Sequence, residues 1–167
     1  GNSLALGATN ITAATTTTNS STLVGSGVYA ITGNAVINGA ITGVTNLSVS
    51  GTTSIGADIT TTGTQLYSGA TTLTVNTTLT TTNSDVTFSS TLNSNNGTAK
   101  TLTIAAGGGT VTMNGAVGGT NVLGATTITA STFTTGSSGT IAMGANALTI
   151  NTDAITIGGN LSGSGAL

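Results

Sequence analysis

The stretch TIAMGANALTINTDAITIGGN, residues 140–160, decides the fold. Its apolar residues come in pairs with one residue between them, which is the two-residue period of a β-strand. The pairs begin at Ile141, Leu148 and Ile155, so each pair lies seven residues after the one before. Each unit is a short strand followed by a tight corner. Three such sides would close a coil of roughly 20 residues, a typical length for a solenoid repeat.

The same alternation continues toward the N-terminus. In TTLTVNTTLTTTNSDVTF, residues 71–88, about half of the residues are threonine, and threonine or asparagine separates the apolar positions. We expect Leu73, Val75, Val86 and Phe88 to fill the interior and the threonines to form the outer surface, where β-branched neighbours on adjacent strands pack well. Shorter alternating runs recur at 46–50, 100–104, 110–113 and 126–129. Gly, Thr, Ser and Asn dominate and are poor helix formers, so no helix is predicted.

Two-residue alternation can build either a sandwich of hairpins or a coiled parallel sheet. Three features favour the coil: strand units of three to five residues, corners of Gly and Asn without proline, and residue types that recur at equivalent places. Looser spacing elsewhere, between about six and sixteen residues, is what insertions at corners would give. The prediction is an all-β chain in one domain, residues 1–167: a parallel β-solenoid of about eight coils, in a rod on the order of 40 Å long.

Composition excludes several classes of function. Charged residues make up 2% of the chain, where about 25% is usual. A net charge of −2 with one Lys or Arg provides no basic patch for nucleic acid or for anionic membranes. No apolar run approaches the roughly 18 residues of a membrane-spanning helix. Without cysteine, disulfides do not stabilise the fold.

Residues able to do chemistry are sparse. The acids Asp58, Asp85 and Asp153 are far apart in sequence, and the chain has no histidine, which removes the usual triads and zinc ligands. A Ser–Lys dyad or an intramolecular Lys–Asn bond would have to use Lys100. The GGG at 107–109 lacks the following GK[ST] of a phosphate loop. We therefore predict no enzyme, no catalytic, cofactor-binding or metal site, and no cofactor.

Three groups of side chains have a structural interpretation beside a functional one. The four aromatic rings are more typical of core or corner packing than of a stacking platform: Tyr29, Tyr67, Phe88 and Phe133. The threonine pairs Thr72/Thr74 and Thr101/Thr103 are similar to ice-binding arrays, but their spacing is irregular. Six N-x-[ST] sequons could accept glycans if the host modifies them. In a chain so rich in Asn and Thr, chance explains most of them. The sequons begin at Asn10, Asn19, Asn46, Asn76, Asn96 and Asn160.

Two long segments, 63–93 and 107–136, resemble the Gly/Thr/Asn/Ala-rich passenger regions of filamentous-haemagglutinin-like and autotransporter adhesins of bacteria. The resemblance is one of composition and rhythm and covers most of the chain. It implies a right-handed parallel β-helix that is secreted and displayed at the cell surface. Residues 44–59 also resemble repeats of trimeric phage tail fibres, and 139–150 resemble head repeats of trimeric autotransporters.

The ends of the chain bear on function. Neither 1–14 nor 158–167 contains a capping helix or a cluster of charges, which solenoids ordinarily use to cover their terminal strands. Either the chain continues into flanking repeats, or copies of it pair head to tail into a fibre. The expectation is a structural unit of an extracellular filament, sheath or surface fibre. Alternatives are an adhesin stalk that binds host or carbohydrate surfaces, an ice-binding or phage-fibre module and, last, a β-helical enzyme.

Overall fold

A computed structural model describes residues 4–18 and 22–165, which form twenty-one β-strands and no helix. In chain order the strands are β1 (Leu4–Leu6), β2 (Thr9–Thr18), β3 (Leu23–Gly25), β4 (Tyr29–Ile37), β5 (Ile41–Val44), β6 (Leu47–Val49), β7 (Thr53–Ile55), β8 (Ile59–Thr61), β9 (Gln65–Tyr67), β10 (Thr71–Leu73), β11 (Thr77–Thr80), β12 (Val86–Phe88), β13 (Leu92–Ser94), β14 (Leu102–Ala105), β15 (Thr110–Met113), β16 (Thr126–Thr129), β17 (Thr132–Thr135), β18 (Ile141–Ala142), β19 (Leu148–Asn151), β20 (Ala154–Ile157) and β21 (Leu161–Ser162).

These strands coil into three faces, and the described strands pair in parallel throughout. Face 1 is the eight-stranded sheet β1-β3-β5-β8-β11-β14-β16-β19. Face 2 contains the first halves of β2 and β4 and then β6, β9, β12, β15, β17 and β20. Face 3 contains the second halves of β2 and β4, then β7, β10, β13, a bridge at Val117, β18 and β21.

The pairing confirms the predicted parallel β-solenoid. The chain makes about seven turns of about 21 residues, against the roughly eight coils of 20 expected from the sequence. Turn length varies: Ile41 pairs with Ile59, 18 residues later, whereas Leu79 pairs with Ile104, 25 residues later. The longer turns place their extra residues at corners, chiefly 95–101 and 118–125 between face 3 and face 1. Strand register is therefore kept despite the uneven spacing.

Register aligns the inward side chains into columns that form the core. On face 1 one column of aliphatic residues is fully or almost fully buried over six successive turns: Leu23, Ile41, Ile59, Leu79, Ile104 and Ile128. Burying each Leu or Ile stabilises the fold by roughly 1.5–3 kcal/mol. Leu73, Val86 and Phe88 are buried as predicted. Val75 was predicted wrongly: it is 40% exposed, because β10 ends at Leu73 and Val75 lies on the following corner.

Aromatic and amide groups fill the middle turns. The rings of Tyr67 and Phe88 lie one turn apart and stack with centroids 4.9 Å apart. The Tyr67 hydroxyl donates to Gln65 Oε1 at 2.9 Å, and Gln65 Nε2 donates to the carbonyl oxygen of Thr80 at 2.9 Å. Both polar side chains are thereby satisfied in the interior. Tyr29 and Phe133 are also buried, so the prediction that the four rings pack in the core or at corners is confirmed, and all four lie in the core.

Candidate functional site

Two of the three acids connect successive turns at corners. Asp58 precedes β8, and its Oδ1 accepts the backbone N–H of Thr78 in the next turn at 2.7 Å. Asp85 precedes β12 and accepts the N–H of Thr110 at 2.8 Å. Asparagines do the same elsewhere: Asn34, Asn46 and Asn76 accept N–H groups one turn later at 2.9, 2.8 and 3.0 Å. The two carboxylates thus satisfy backbone donors that the corner would otherwise leave unpaired.

The structure does not bring the charged residues together into a reactive cluster. Asp58, Asp85 and Asp153 lie in different turns, and all three are exposed. Lys100 lies on the long corner 95–101, where its backbone N–H donates to Ser94 Oγ at 2.8 Å. Among the residues that the structure describes, no three His, Cys, Asp or Glu side chains are grouped closely enough to hold a metal ion.

The long corners between faces 3 and 1 form shallow polar clefts. Two neighbouring clefts, of about 250 and 360 Å³, share Ser94, Asn95 and Asn121 in their walls. Most of the asparagine groups there bond to the corner itself: Asn93 Oδ1 accepts the N–H of Thr120 at 3.0 Å, and Asn121 Nδ2 donates to Asn96 Oδ1 at 3.2 Å. These side chains hold the inserted corners in place, whereas Oδ1 of Asn95, which lies in the wall of both clefts, is buried without a hydrogen-bond partner.

The threonine pairs singled out in the sequence do not form one flat array. Thr72 lies on face 3, whereas Thr74 is on a corner and donates to the carbonyl oxygen of Ile55 at 3.0 Å. Thr101 likewise precedes β14, and only Thr103 of that pair faces outward on a strand. Register creates a different arrangement on face 1, where four outward threonines stack over four successive turns: Thr78, Thr103, Thr127 and Thr149.

The sequons occupy varied positions. The side-chain oxygens of Asn46, Asn76 and Asn96 accept hydrogen bonds from other turns. Asn10, Asn76, Asn96 and Asn160 are exposed. Asn19 lies outside the described residues. Because an N-glycan attaches to Nδ2 and the corner hydrogen bonds use Oδ1, glycosylation is compatible with the exposed positions.

Among the described residues, three of the seven exposed large hydrophobic side chains lie on β20 and β21 of the last turn. Ile155, Ile157 and Leu161 are 54, 40 and 38% exposed. One turn earlier their register partners are almost fully buried, at 0% for Phe133, 2% for Thr135 and 2% for Ile141. The three exposed side chains therefore occupy core columns that one more turn would cover. Sequence reasoning placed Ile155 and Ile157 correctly in a strand but did not identify this surface, which emerges only once each column is traced to its end.

Comparison with protein-family models, curated proteins and solved structures found no match to this chain. Within the described ranges, no helix is long and apolar enough to cross a membrane. The candidate functional surface is therefore identified by geometry: it is the exposed part of the last turn, β20 and β21, which we call the C-terminal rim (residues 154–162).

Proposed function

We propose that this protein is a structural unit of an extracellular filament, sheath or surface fibre, assembled by end-to-end stacking of solenoids. The observation that carries the proposal is the C-terminal rim, whose Ile155, Ile157 and Leu161 continue core columns and are 54, 40 and 38% exposed within the part of the chain that the structure describes. Burying side chains that are about half exposed would stabilise a joint by roughly 1 kcal/mol each. A terminal parallel strand also leaves alternate N–H and C=O groups free to pair with an incoming strand.

Composition supports the same proposal. The net charge is −2 over 167 residues, so copies repel each other only weakly as they approach. Two of the three acids are engaged in corner hydrogen bonds within the chain. Extracellular display rests on the resemblance to bacterial surface passengers, and flanking repeats of the same chain are the other partner that would fit the rim.

Electron microscopy of the purified protein at increasing concentration tests the proposal. We expect rods that lengthen with concentration and a meridional spacing near 4.8 Å in fibre diffraction. A double variant, Ile155→Lys with Ile157→Lys, should abolish lengthening, because it places two charges in the joint. The matched control is Thr156→Lys, which adds a charge to the same strand on its outward side. Particles of constant length at all concentrations would contradict stacking.

The threonine column of face 1 favours ice binding as a second candidate. Its four members present hydroxyl and methyl groups at the regular separation of adjacent strands, about 4.8 Å. A second outward column contains Thr60, Thr80 and Thr129, with Ala105 between the last two. Thermal hysteresis measurements test this directly. Ice binding is supported if the native protein shows thermal hysteresis that is lost in Thr103→Lys and unchanged in Thr72→Lys on face 3. Absence of hysteresis in the native protein would exclude it. An adhesin role instead predicts glycan binding that depends on the corner clefts.

A further inference from the structure

On faces 2 and 3 the first and last turns share register columns, which defines how two copies would meet. The column that ends at Ile157 begins at Ile11 in the first turn and passes through Ile31, Val49, Tyr67, Phe88, Met113 and Thr135. The column that ends at Leu161 begins at Thr16. A first turn placed above a last turn would therefore continue both columns with residues of the type already found in them.

We propose that the partner of the C-terminal rim is the first turn of a second copy, with β2 of that copy pairing in parallel with β20 and β21. In this register Ile11 of the second copy lies on Ile157 and Thr16 lies on Leu161. The inference rests on the proposed function and adds the direction and register of the joint. Two C-terminal rims facing each other would instead bring the strands together antiparallel and break every column.

Asn160 adds a directed hydrogen bond to this joint. It immediately precedes β21 and lies in the same column as Asn34. Asn34 Oδ1 accepts the N–H of Thr52, its register partner one turn later, at 2.9 Å. Thr15 is the first-turn residue of that column, since it pairs with Asn34. A second copy in the proposed register would thus offer its Thr15 N–H to Asn160 Oδ1, repeating the contact made inside the chain.

One corner of the first turn is poorly adapted to the joint. At the corner between faces 2 and 3, a Cβ on Gly51, Gly69 or Gly115 would lie 2.3–2.5 Å from a carbonyl oxygen of the turn beneath. The first turn instead has Ala13 and Ala14 opposite Gly33, at a register shift in the β2–β4 pairing. Two methyl groups therefore stand where most later turns have glycine, and we expect them to weaken the joint and raise the concentration at which stacking begins.

Engineered disulfides test the register, because the native chain contains no cysteine. In the proposed joint Asn10 and Thr156 are outward neighbours, each one residue before the Ile11–Ile157 pair. Adjacent strands lie about 4.8 Å apart, within the Cα separation of a disulfide. Within one molecule the same two residues are seven strand spacings apart, roughly 34 Å, so a bond between them requires two copies.

The variant Asn10→Cys/Thr156→Cys should form a ladder of covalent multimers on oxidation. The control Thr12→Cys/Thr156→Cys shifts one partner by two residues, about 7 Å along the strand, and should give at least tenfold less cross-linking. Adding Ala13→Gly and Ala14→Gly to the first variant should lower the concentration for half-maximal cross-linking several-fold.

The outcomes separate this inference from the proposed function. Rods that lengthen without 10–156 cross-links, or that cross-link equally through 12–156, would overturn the register while leaving stacking in place. Monomers that neither lengthen nor cross-link would overturn both. An unchanged cross-linking concentration in the glycine variant would overturn the role given to the alanine corner.

Discussion

A matched pair of leucine substitutions tests the assignment of interior and exterior. Leu79 lies on face 1 between Ile59 and Ile104 and is fully buried. Leu66 lies on face 2, points outward and is 36% exposed. Both residues belong to three- or four-residue strands of the middle turns, so Leu→Ala removes the same atoms from similar backbone.

The expected magnitudes differ because only one substitution opens a cavity. Leu79→Ala should cost about 2–5 kcal/mol of the free energy of unfolding, through lost burial and the void between its two column neighbours. Leu66→Ala should cost less than about 1 kcal/mol. For a chain of this length the first loss corresponds to a fall in Tm of roughly 4–20 °C.

Urea unfolding followed by far-UV circular dichroism provides the comparison. Because each turn of a solenoid contacts only its neighbours, unfolding can proceed in stages, so the transition should also be followed by the fluorescence of Tyr29 and Tyr67 and both midpoints compared. Equal losses for the two variants, or a larger loss for Leu66→Ala, would refute the inward and outward assignment on which the column argument depends.

Three further predictions concern corners and the core. Gly69→Ala places a Cβ 2.3–2.8 Å from backbone atoms of the turn beneath and should destabilise the fold by about 1–3 kcal/mol. The control Gly119→Ala, whose added Cβ would have its nearest contact at 3.4 Å, should be tolerated. Equal melting temperatures for the two variants would contradict this. Asp58→Ala should lower the free energy of unfolding by about 0.5–1 kcal/mol through loss of the corner hydrogen bond to Thr78. Asp58→Asn keeps an acceptor oxygen and should retain most of the native stability. An asparagine variant as unstable as the alanine variant would show that the hydrogen bond is not the cause. Burial raises the pKa of Tyr67 above its usual 10. The native state therefore retains a proton that the unfolded chain releases, and stability should fall as pH rises above about 10. Tyr67→Phe should reduce this fall in Tm between pH 8 and 11, and an unaltered slope of Tm against pH would exclude Tyr67 as its source.

Much of the fold could be predicted from local pattern, because two-residue alternation fixes which side chains face inward. The seven-residue steps at 140–160 also indicated the three-sided coil and its length. Val75 shows the limit: it continues the alternation of Leu73, yet the strand has already ended there. Where a corner begins depends on hydrogen bonds to the turns above and below, and residues about 20 positions away in sequence determine these.

The candidate surfaces were less predictable for the same reason. The roles of Asp58 and Asp85 depend on which N–H lies one turn later, and turns of 18 to 25 residues make that partner hard to locate by counting. The sequence pairs Thr72/Thr74 and Thr101/Thr103 are similar to ice-binding arrays, but in the structure each pair is divided between a strand and a corner. The aligned threonines of face 1 appear only after the insertions have been assigned to corners.

Parallel stacking also gives a physical reason for the unusual scarcity of charge. Every outward side chain has a column neighbour about 4.8 Å above and below it, and two like charges at that distance repel by roughly 1 kcal/mol even in water. A repeated charged residue would incur this cost at each step of its column. The acids accordingly stand alone: Asp58 has Ala40 and Thr78 as column neighbours, and Asp85 has Thr64 and Thr110. Threonine and asparagine can repeat without that cost, and the same neutrality that permits turns to stack within one chain would permit one copy to stack on another.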